Sequence, residues 1–475
     1  DLTWEESFAE MHRIVAMLRD GHTRIQTHRN EDQGLGWVQV QYQLFPDGLR
    51  VIAVHPDHAE VLGGRVTAVG NLPADEALAR MEPLISADND WTVRDRLPQY
   101  LVQPELLAGT GILDAVGECP LEVEKDGRRI STRLPLAATH DEASWPGITS
   151  ALGDSAPLYL RNPAKSYFFE PLPEHDAVYV NFRRVRDDEE ETFEDFCTRA
   201  FVYLDEHDVG RLVVDLRLNG GGNNYLNRPL IHGIIRNERV NREGNLFVIV
   251  GRRTFSAAMC GTIDLERQTE ALFVGEPTGA TPNHHGDAVP VTLPHTGVTV
   301  SISALYWQNS DPRDSRPWLE PDIPVTLSWD DFVNGRDTVL EACLRFQPFD
   351  GERQPVWRLV TGWIEEGESV EEALEKYRAL HASDERPNYD FSHYQLNAVG
   401  YELLGQERMD EAIAVFRANA EMYPYEFNPW DSLGEALAMA GRTAEAVEAY
   451  RRSVELNPAS RTGQDALRRL TRGTP

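Results

Sequence analysis

Leu246-Phe-Val-Ile-Val-Gly-Arg-Arg-Thr-Phe-Ser256-Ala-Ala-Met259 is the stretch that decides the fold. Leu246 to Val250 is a continuous apolar run, short enough for a strand buried on both faces. Gly251 to Thr254 breaks it, and Ser256-Ala257-Ala258 opens a run of good helix formers. The stretch therefore reads as strand, turn, helix, with a serine at the turn. Two readings of Ser256 stand together. It is an N-cap, the commonest use of serine at a helix start. Or it is a nucleophile placed where unpaired helix N–H groups and the positive end of the helix dipole stabilise developing negative charge.

Upstream, Arg211-Leu-Val-Val-Asp-Leu-Arg-Leu218 reads as a second buried strand and runs into Asn219-Gly-Gly-Gly222. Glycines at a strand end form tight turns, or they let backbone N–H groups approach a substrate closely. No Lys-Ser/Thr follows, so this is not a phosphate-binding loop. Beside Ser256 it suggests an oxyanion hole. One N–H would come from Gly221, with Gly222 as the near alternative, and the other from Ala257. Strands at 177–182, 272–274 and 298–303 alternate with helices at 192–207, 225–236 and 338–346. That alternation predicts an α/β layered core over 176–346.

Thr3-Trp-Glu-Glu6 has the capping-box form, and Phe8, Met11, Val15 and Leu18 follow at helical spacing. This helix, the main element of an N-terminal helical cap at 1–33, is expected to stop at Gly21. His22 then stands on a loop. From 34 to 138 the texture is β: Val38, Val40, Tyr42 and Leu44 alternate with glutamines, and Leu121 to Leu134 reads as a hairpin turning at Asp126-Gly127. With Gly34-Leu35-Gly36-Trp37 at its head, this region resembles a PDZ domain. There Leu35, Gly36 and Trp37 would offer backbone N–H groups to a peptide's terminal carboxylate. The helical stretch around 75–115 is an addition to a minimal PDZ domain. Residues 139–175, rich in Pro, Ala and Ser, read as an irregular linker or cap segment.

Gly400 and Gly434, Ala412 and Ala446, Phe416 and Tyr450, Pro424 and Pro458 recur at one period. A 34-residue period with these residue types is the tetratricopeptide pattern. The repeats are placed at 388–475, behind a linker helix at 347–387, where Ser369 to Leu380 stacks as a partial third repeat. They are expected to form a self-contained stack for a protein partner or self-association.

A net charge of −31 over 475 residues argues against nucleic acid or an anionic membrane as partner. No apolar run reaches membrane-spanning length. Cys119, Cys197, Cys260 and Cys343 lack metal-ligand or disulfide spacing, so neither a metal site nor a cofactor is expected. The chain starts at Asp1 without Met. The expected compartment is extracytoplasmic, after removal of a signal segment, with the cytoplasm as the alternative.

Asp215-Leu-Arg-Leu-Asn-Gly-Gly-Gly222, Thr254-Phe-Ser-Ala-Ala258, Val274-Gly-Glu-Pro-Thr-Gly279 and Glu320-Pro-Asp-Ile-Pro-Val325 together resemble the tail-specific (C-terminal processing) serine proteases, over roughly residues 1–345. The resemblance implies a crotonase/Clp-type α/β core and peptide-bond hydrolysis. That family uses a Ser–Lys dyad, but the corresponding stretch here, Thr278-Gly-Ala280, has no lysine. The tricorn-core branch uses a histidine from the N-terminal cap, and Leu18-Arg-Asp-Gly-His22-Thr resembles that segment, with Gly21 where the branch has Ser. His22 is the expected base, and His284 and His285 are rivals. The resemblance places its acidic partner in 311–322, where Asp314 and Glu320 are candidates. A histidine base predicts that activity falls as pH drops through roughly 6 to 7. The alternative function is a catalytically silent binder of hydrophobic ligands or peptides on the same fold.

Overall fold

A computed structural model describes residues 2–26, 36–137, 145–347, 353–383 and 385–472. The chain divides into two compact units. One is Asp1–Ser310 with Pro317–Phe346, and the other is Asp311–Arg316 with Gln347–Pro475.

The first unit is built on a six-stranded sheet. Its order is Tyr167–Leu172, Ala177–Phe182, Arg211–Asp215, Leu246–Val250, Leu272–Gly275 and Ile323–Pro324. All neighbours are parallel except the first pair. Every residue of Ala177–Phe182 and of Leu246–Val250 is buried. Alternate side chains enter two separate apolar cores: Val248 and Val250 join one, Phe247 and Ile249 the other. That is why these strands read as unbroken apolar runs. Parallel strands leave their C-terminal ends along one edge of the sheet, and both Asn219-Gly-Gly-Gly222 and Ser256 follow such ends.

The β region forms an antiparallel sheet of Val40–Phe45, Gly48–Val54, Arg65–Val69, Cys119–Lys125 and Arg128–Leu134, with Leu72–Pro73 beside Arg65–Val69. Its hairpin turns at Asp126 and Gly127, both at positive φ, which is what a tight hairpin of this kind requires. The helix Trp4–Ala16 carries the expected capping box and shares a core with this sheet through Phe8 and Ala9.

Several expectations need correction. The first helix stops at Ala16, short of Gly21, and Arg19 takes the left-handed conformation. Residues 139–175 are not all linker: Tyr167–Leu172 is an edge strand of the central sheet. Pro171 is tolerated there because an edge strand has one unpaired side. A long hairpin, Asn283–Thr292 with Thr299–Gln308, was only half foreseen. It leaves Val289, Val291 and Ile302 exposed, so its pattern lacks the apolar signal of a buried strand.

In the second unit, the 34-residue period becomes the helix pairs His393–Gly405/Met409–Met422 and Phe427–Met439/Thr443–Leu456, followed by Arg461–Arg472. The recurring Gly and aromatic face each other. A Cβ on Gly400 would lie 2.5 Å from the Phe416 ring, and one on Gly434 2.9 Å from the Tyr450 ring. Where one linker helix was expected at 347–387, the described residues carry two. Val356–Glu365 and Val370–His381 form a further helix pair, and Val360, Leu374 and Tyr377 enter the same core as Leu396 and Phe416.

Candidate active site

The buried strand Leu246–Val250 delivers the chain to a turn held from inside. Thr254 Oγ1 donates to Leu216 O (2.9 Å) and accepts from Gly251 N (3.1 Å). Phe255 N donates to Asn219 O (3.1 Å). The next residue, Ser256, has φ +53° and ψ −128°. This is a sparsely populated conformation for a residue with a Cβ, and it persists only where its surroundings over-determine it. Ser256 precedes the helix Ala257–Gln268 but makes no side-chain cap bond. Its hydroxyl instead meets His22 Nε2 at 2.9 Å.

His22 is held by its own loop and by the helical addition to the β region. Asp20 Oδ1 accepts from His22 N (2.9 Å), and Asp20 Oδ2 accepts from Thr23 Oγ1 (2.5 Å). Asp88 Oδ1 accepts from Gly21 N (2.6 Å), and Arg96 Nη1 donates to Gly21 O (2.8 Å). Arg96 belongs to the helix Asp90–Tyr100, capped by Asn89, which also donates to Thr278 O. The 75–115 addition thus anchors the histidine loop. Gly21 has a steric reason: a Cβ there would lie 2.8 Å from the Phe255 ring.

The imidazole lies between two rings, Phe255 (centroids 4.5 Å apart) and His284 (5.7 Å, nearly parallel). Burial, then the neighbouring His284, pull its pKa down to about 3, against a rise from Asp20. Its Nδ1 is buried without a hydrogen-bond partner among the described residues. Glu320 is not the orienting group expected from sequence. It is exposed and accepts from the Trp318 indole at 2.7 Å. Asp314 is ion-paired with Arg316 at 2.8 Å. Among the described residues the carboxylate bonded to the His22 residue is Asp20, through the backbone, and sequence reasoning missed it although Asp20 stands two residues away. Neither rival base meets Ser256. His284 lies against Thr281 O (3.1 Å) and Cys260 Sγ (3.9 Å), and His285 is exposed over Tyr306.

The Gly-rich loop abuts the serine. A Cβ on Gly221, whose φ is +101°, would lie 2.6 Å from Ser256 Cβ and 2.8 Å from Ala257 N, so only glycine fits. The donor assignment changes, however. Gly221 N already donates to Asn219 Oδ1 (2.9 Å), and Asn219 Nδ2 in turn donates to Phe182 O (2.8 Å). Among the described residues the N–H groups of Gly220, Gly222 and Ala257 donate to nothing. The loop rests on a buried ion network: Arg217 pairs with Asp215 and Asp337, each at 2.8 Å, and Tyr179 OH donates to Asp215 at 2.7 Å. Removing one partner of such a network costs about 3–5 kcal/mol, because a buried charge is left unpaired. Asp337 was missed; only the tertiary fold brings it to Arg217.

Of the expected peptide-end loop, Leu35 lies outside the described residues. Gly36 precedes, and Trp37 begins, a short strand paired with Leu136–Ala137. Val38 N and Gln39 N donate to Val102 O and Pro135 O. Trp37 is thus paired with Ala137 of this chain's own Leu136–Ala137 strand.

No protein-family model matches this chain, and no curated protein does. Solved structures do. A mutant of CPAF aligns at TM-score 0.52 and 12% identity, over 74% of this chain and 90% of that one. Mature CPAF complexed with lactacystin aligns at TM-score 0.50 and 12% identity, over 72% and 87%. The fold is shared with CPAF. The photosystem II D1 C-terminal processing protease aligns at 16% identity over 73% and 87%, with TM-score 0.34. Among the described residues no helix is long and apolar enough to cross a membrane, and no cluster of His, Cys, Asp or Glu is placed to hold a metal ion.

Proposed function

We propose that the chain is a serine peptidase in which Ser256 attacks a peptide carbonyl with His22 as its base. The observation that carries this is the 2.9 Å contact between His22 Nε2 and the Ser256 hydroxyl, with Ser256 held at φ +53° and free of any capping bond. The resemblance of 1–345 to the tail-specific serine proteases supports the same chemistry.

In this reading Ser256 Oγ bonds to the substrate carbonyl carbon while its proton passes to His22 Nε2. The carbonyl oxygen becomes an oxyanion that accepts from Ala257 N–H and from the N–H groups flanking Gly221, at Gly220 and Gly222. The C–N bond breaks as His22 returns the proton to the leaving amine. Water then attacks the acyl ester, again with His22 taking its proton, and the acid is released as the C–O bond to Ser256 breaks and that proton returns to Ser256 Oγ. Asp20 stabilises the transient imidazolium through space, and the rings of Phe255 and His284 hold the imidazole in place of a carboxylate on Nδ1.

The same proposal extends to a tricorn-core-like branch, to peptides or unfolded tails as substrates, to the helical repeats as a protein-contact surface and to an extracytoplasmic location. A fluorophosphonate probe tests the core claim. It should label the wild type and not Ser256→Ala. Absence of labelling in a folded wild type would favour the silent binder.

A further inference from the structure

Next to Ser256 lies a cleft of 290 Å³ whose walls hold four arginines, Arg24, Arg96, Arg252 and Arg253, against one acid, Asp95. In a chain with net charge −31 this is a local inversion of sign. The four are not equivalent. Arg252 is neutralised by Glu276 (2.8 Å) and also donates to Leu44 O, so it is structural. Arg96 is held by the carbonyls of Gly21 and Ser86 and faces the carboxylates of Asp88 and Asp95, so it too is largely structural. Arg24 and Arg253 are exposed, and among the described residues the guanidinium of neither forms an ion pair or hydrogen bond, although Arg253 is the leading positive charge acting on the buried carboxyl of Asp95. Most other arginines of the chain have a partner, as Arg199 has Glu191 and Arg442 has Glu445.

Arg24 sits in the short strand Arg24–Ile25, directly after His22 and Thr23, and pairs in register with Ser301 of the long hairpin. Arg253 lies in the turn that delivers Ser256. The two therefore come from the two segments that supply the base and the nucleophile, and both face the same cleft. These charges act on their neighbours: after burial, Arg24 is the next cause holding Arg96 below its ordinary range. Like charges gathered at a cleft in a protein that is otherwise strongly negative cost stability, and an anionic ligand relieves that cost. Burying a peptide carboxylate between guanidinium groups gives charge-assisted, directional hydrogen bonds.

We infer that the Ser256 cleft selects peptides carrying a carboxylate close to the scissile bond, recognised by Arg24 and Arg253. The carboxylate is an Asp or Glu side chain. This rests on the peptidase reading for its use in turnover, but recognition itself is independent of the chemistry. The acidic surface elsewhere repels such a peptide, so the cleft supplies both a focus and a filter.

The test separates recognition from catalysis by using Ser256→Ala for binding. One neutral, unstructured ten-residue peptide carries an N-terminal fluorophore and an amidated end. It is compared with a Gln→Glu version and with a free-acid version, by fluorescence anisotropy in low salt. The Glu version should bind roughly tenfold tighter than the parent, as expected for one charge-assisted contact. A gain confined to the free-acid version overturns the inference in favour of end recognition. Arg24→Gln/Arg253→Gln in the same background should erase that preference and leave parent binding unchanged, with an unaltered melting curve to show folding. Raised salt should shrink the preference. Equal binding of all three peptides, no binding of any, or a preference that survives the double substitution overturns the inference, whatever Ser256 does. Fluorophosphonate labelling of the chain with intact Ser256 reports separately on the peptidase reading.

Discussion

Gly400 touches Phe416, one helix further along, whereas His22 touches Ser256 across 234 positions of sequence. The two regions specify structure by different means. In the helical unit a side chain's neighbours are set by a period, and each repeat buries its face against the next. At the serine, single-copy residues from the first helix's loop, the 75–115 addition, the Gly-rich turn and the long hairpin converge on a few ångströms. A periodic region tolerates local damage within one repeat. A convergent site depends on every anchor at once.

The sharpest contrast is Ser256→Ala. It should lower peptide hydrolysis by roughly 10³-fold or more while the melting temperature barely moves. His22→Ala should be as severe, because members of one unit are not additive; kcat measured for the pair and the double variant checks this. A mild His22→Ala would break the reading of the site. Gly21→Ser comes next. Its Cβ would press on Phe255 and shift the ring that packs His22, and a displacement of about 1 Å can cost on the order of 10²-fold in kcat. Circular dichroism should stay unchanged.

Truncation probes the other side of the comparison. A chain ending at residue 387 keeps Val360, Leu374 and Tyr377 but loses Leu396 and Phe416, with which they share a core. It should aggregate, whereas a chain ending at residue 346 carries none of that apolar surface and should be more soluble. Equal solubility would mean that 347–387 fold without the repeats. Gly400→Val, within the helical unit, should destabilise it by about 1–3 kcal/mol through overpacking against Phe416. Calorimetry would read that shift, and fluorophosphonate labelling at Ser256 should not change.

The smallest effect concerns pH. His22 has its folded-state pKa pulled down to about 3, chiefly by burial, from an ordinary value near 6.5. The folded protein therefore keeps a neutral base well below pH 6, and the acidic limb of kcat/KM should fall nearer pH 3 to 4 than the 6 to 7 expected from sequence. The sign for stability follows. Below about 6.5 the unfolded chain takes up a proton at this histidine that the folded chain refuses. Stability from His22 is thus complete above that value and is lost as pH falls toward 3. His381, lowered by burial to about 4, gives the same sign in the helical unit. An activity limb centred between pH 6 and 7 would show that His22 is less buried than the structure has it.

The strand, turn and helix around Ser256, the α/β alternation, the capping box at Thr3 and the 34-residue period were legible in the sequence. Each is a local pattern: apolar runs, caps and repeats are fixed by neighbours within a few residues, where backbone geometry leaves few choices. The resemblance to a protease family also pointed at His22 over His284 and His285. The sequence could not show that Glu320 stays on Trp318, that Gly221 gives its N–H to Asn219, or that Asp88 and Arg96 grip the histidine loop. Nor could it show that Val356–Glu365 joins the partial third repeat in the helical core. Hydrogen-bond donors, ion-pair partners and pKa values depend on which groups are within about 3 Å and how much water is excluded. Those are properties of long-range packing, and no period in the chain encodes them.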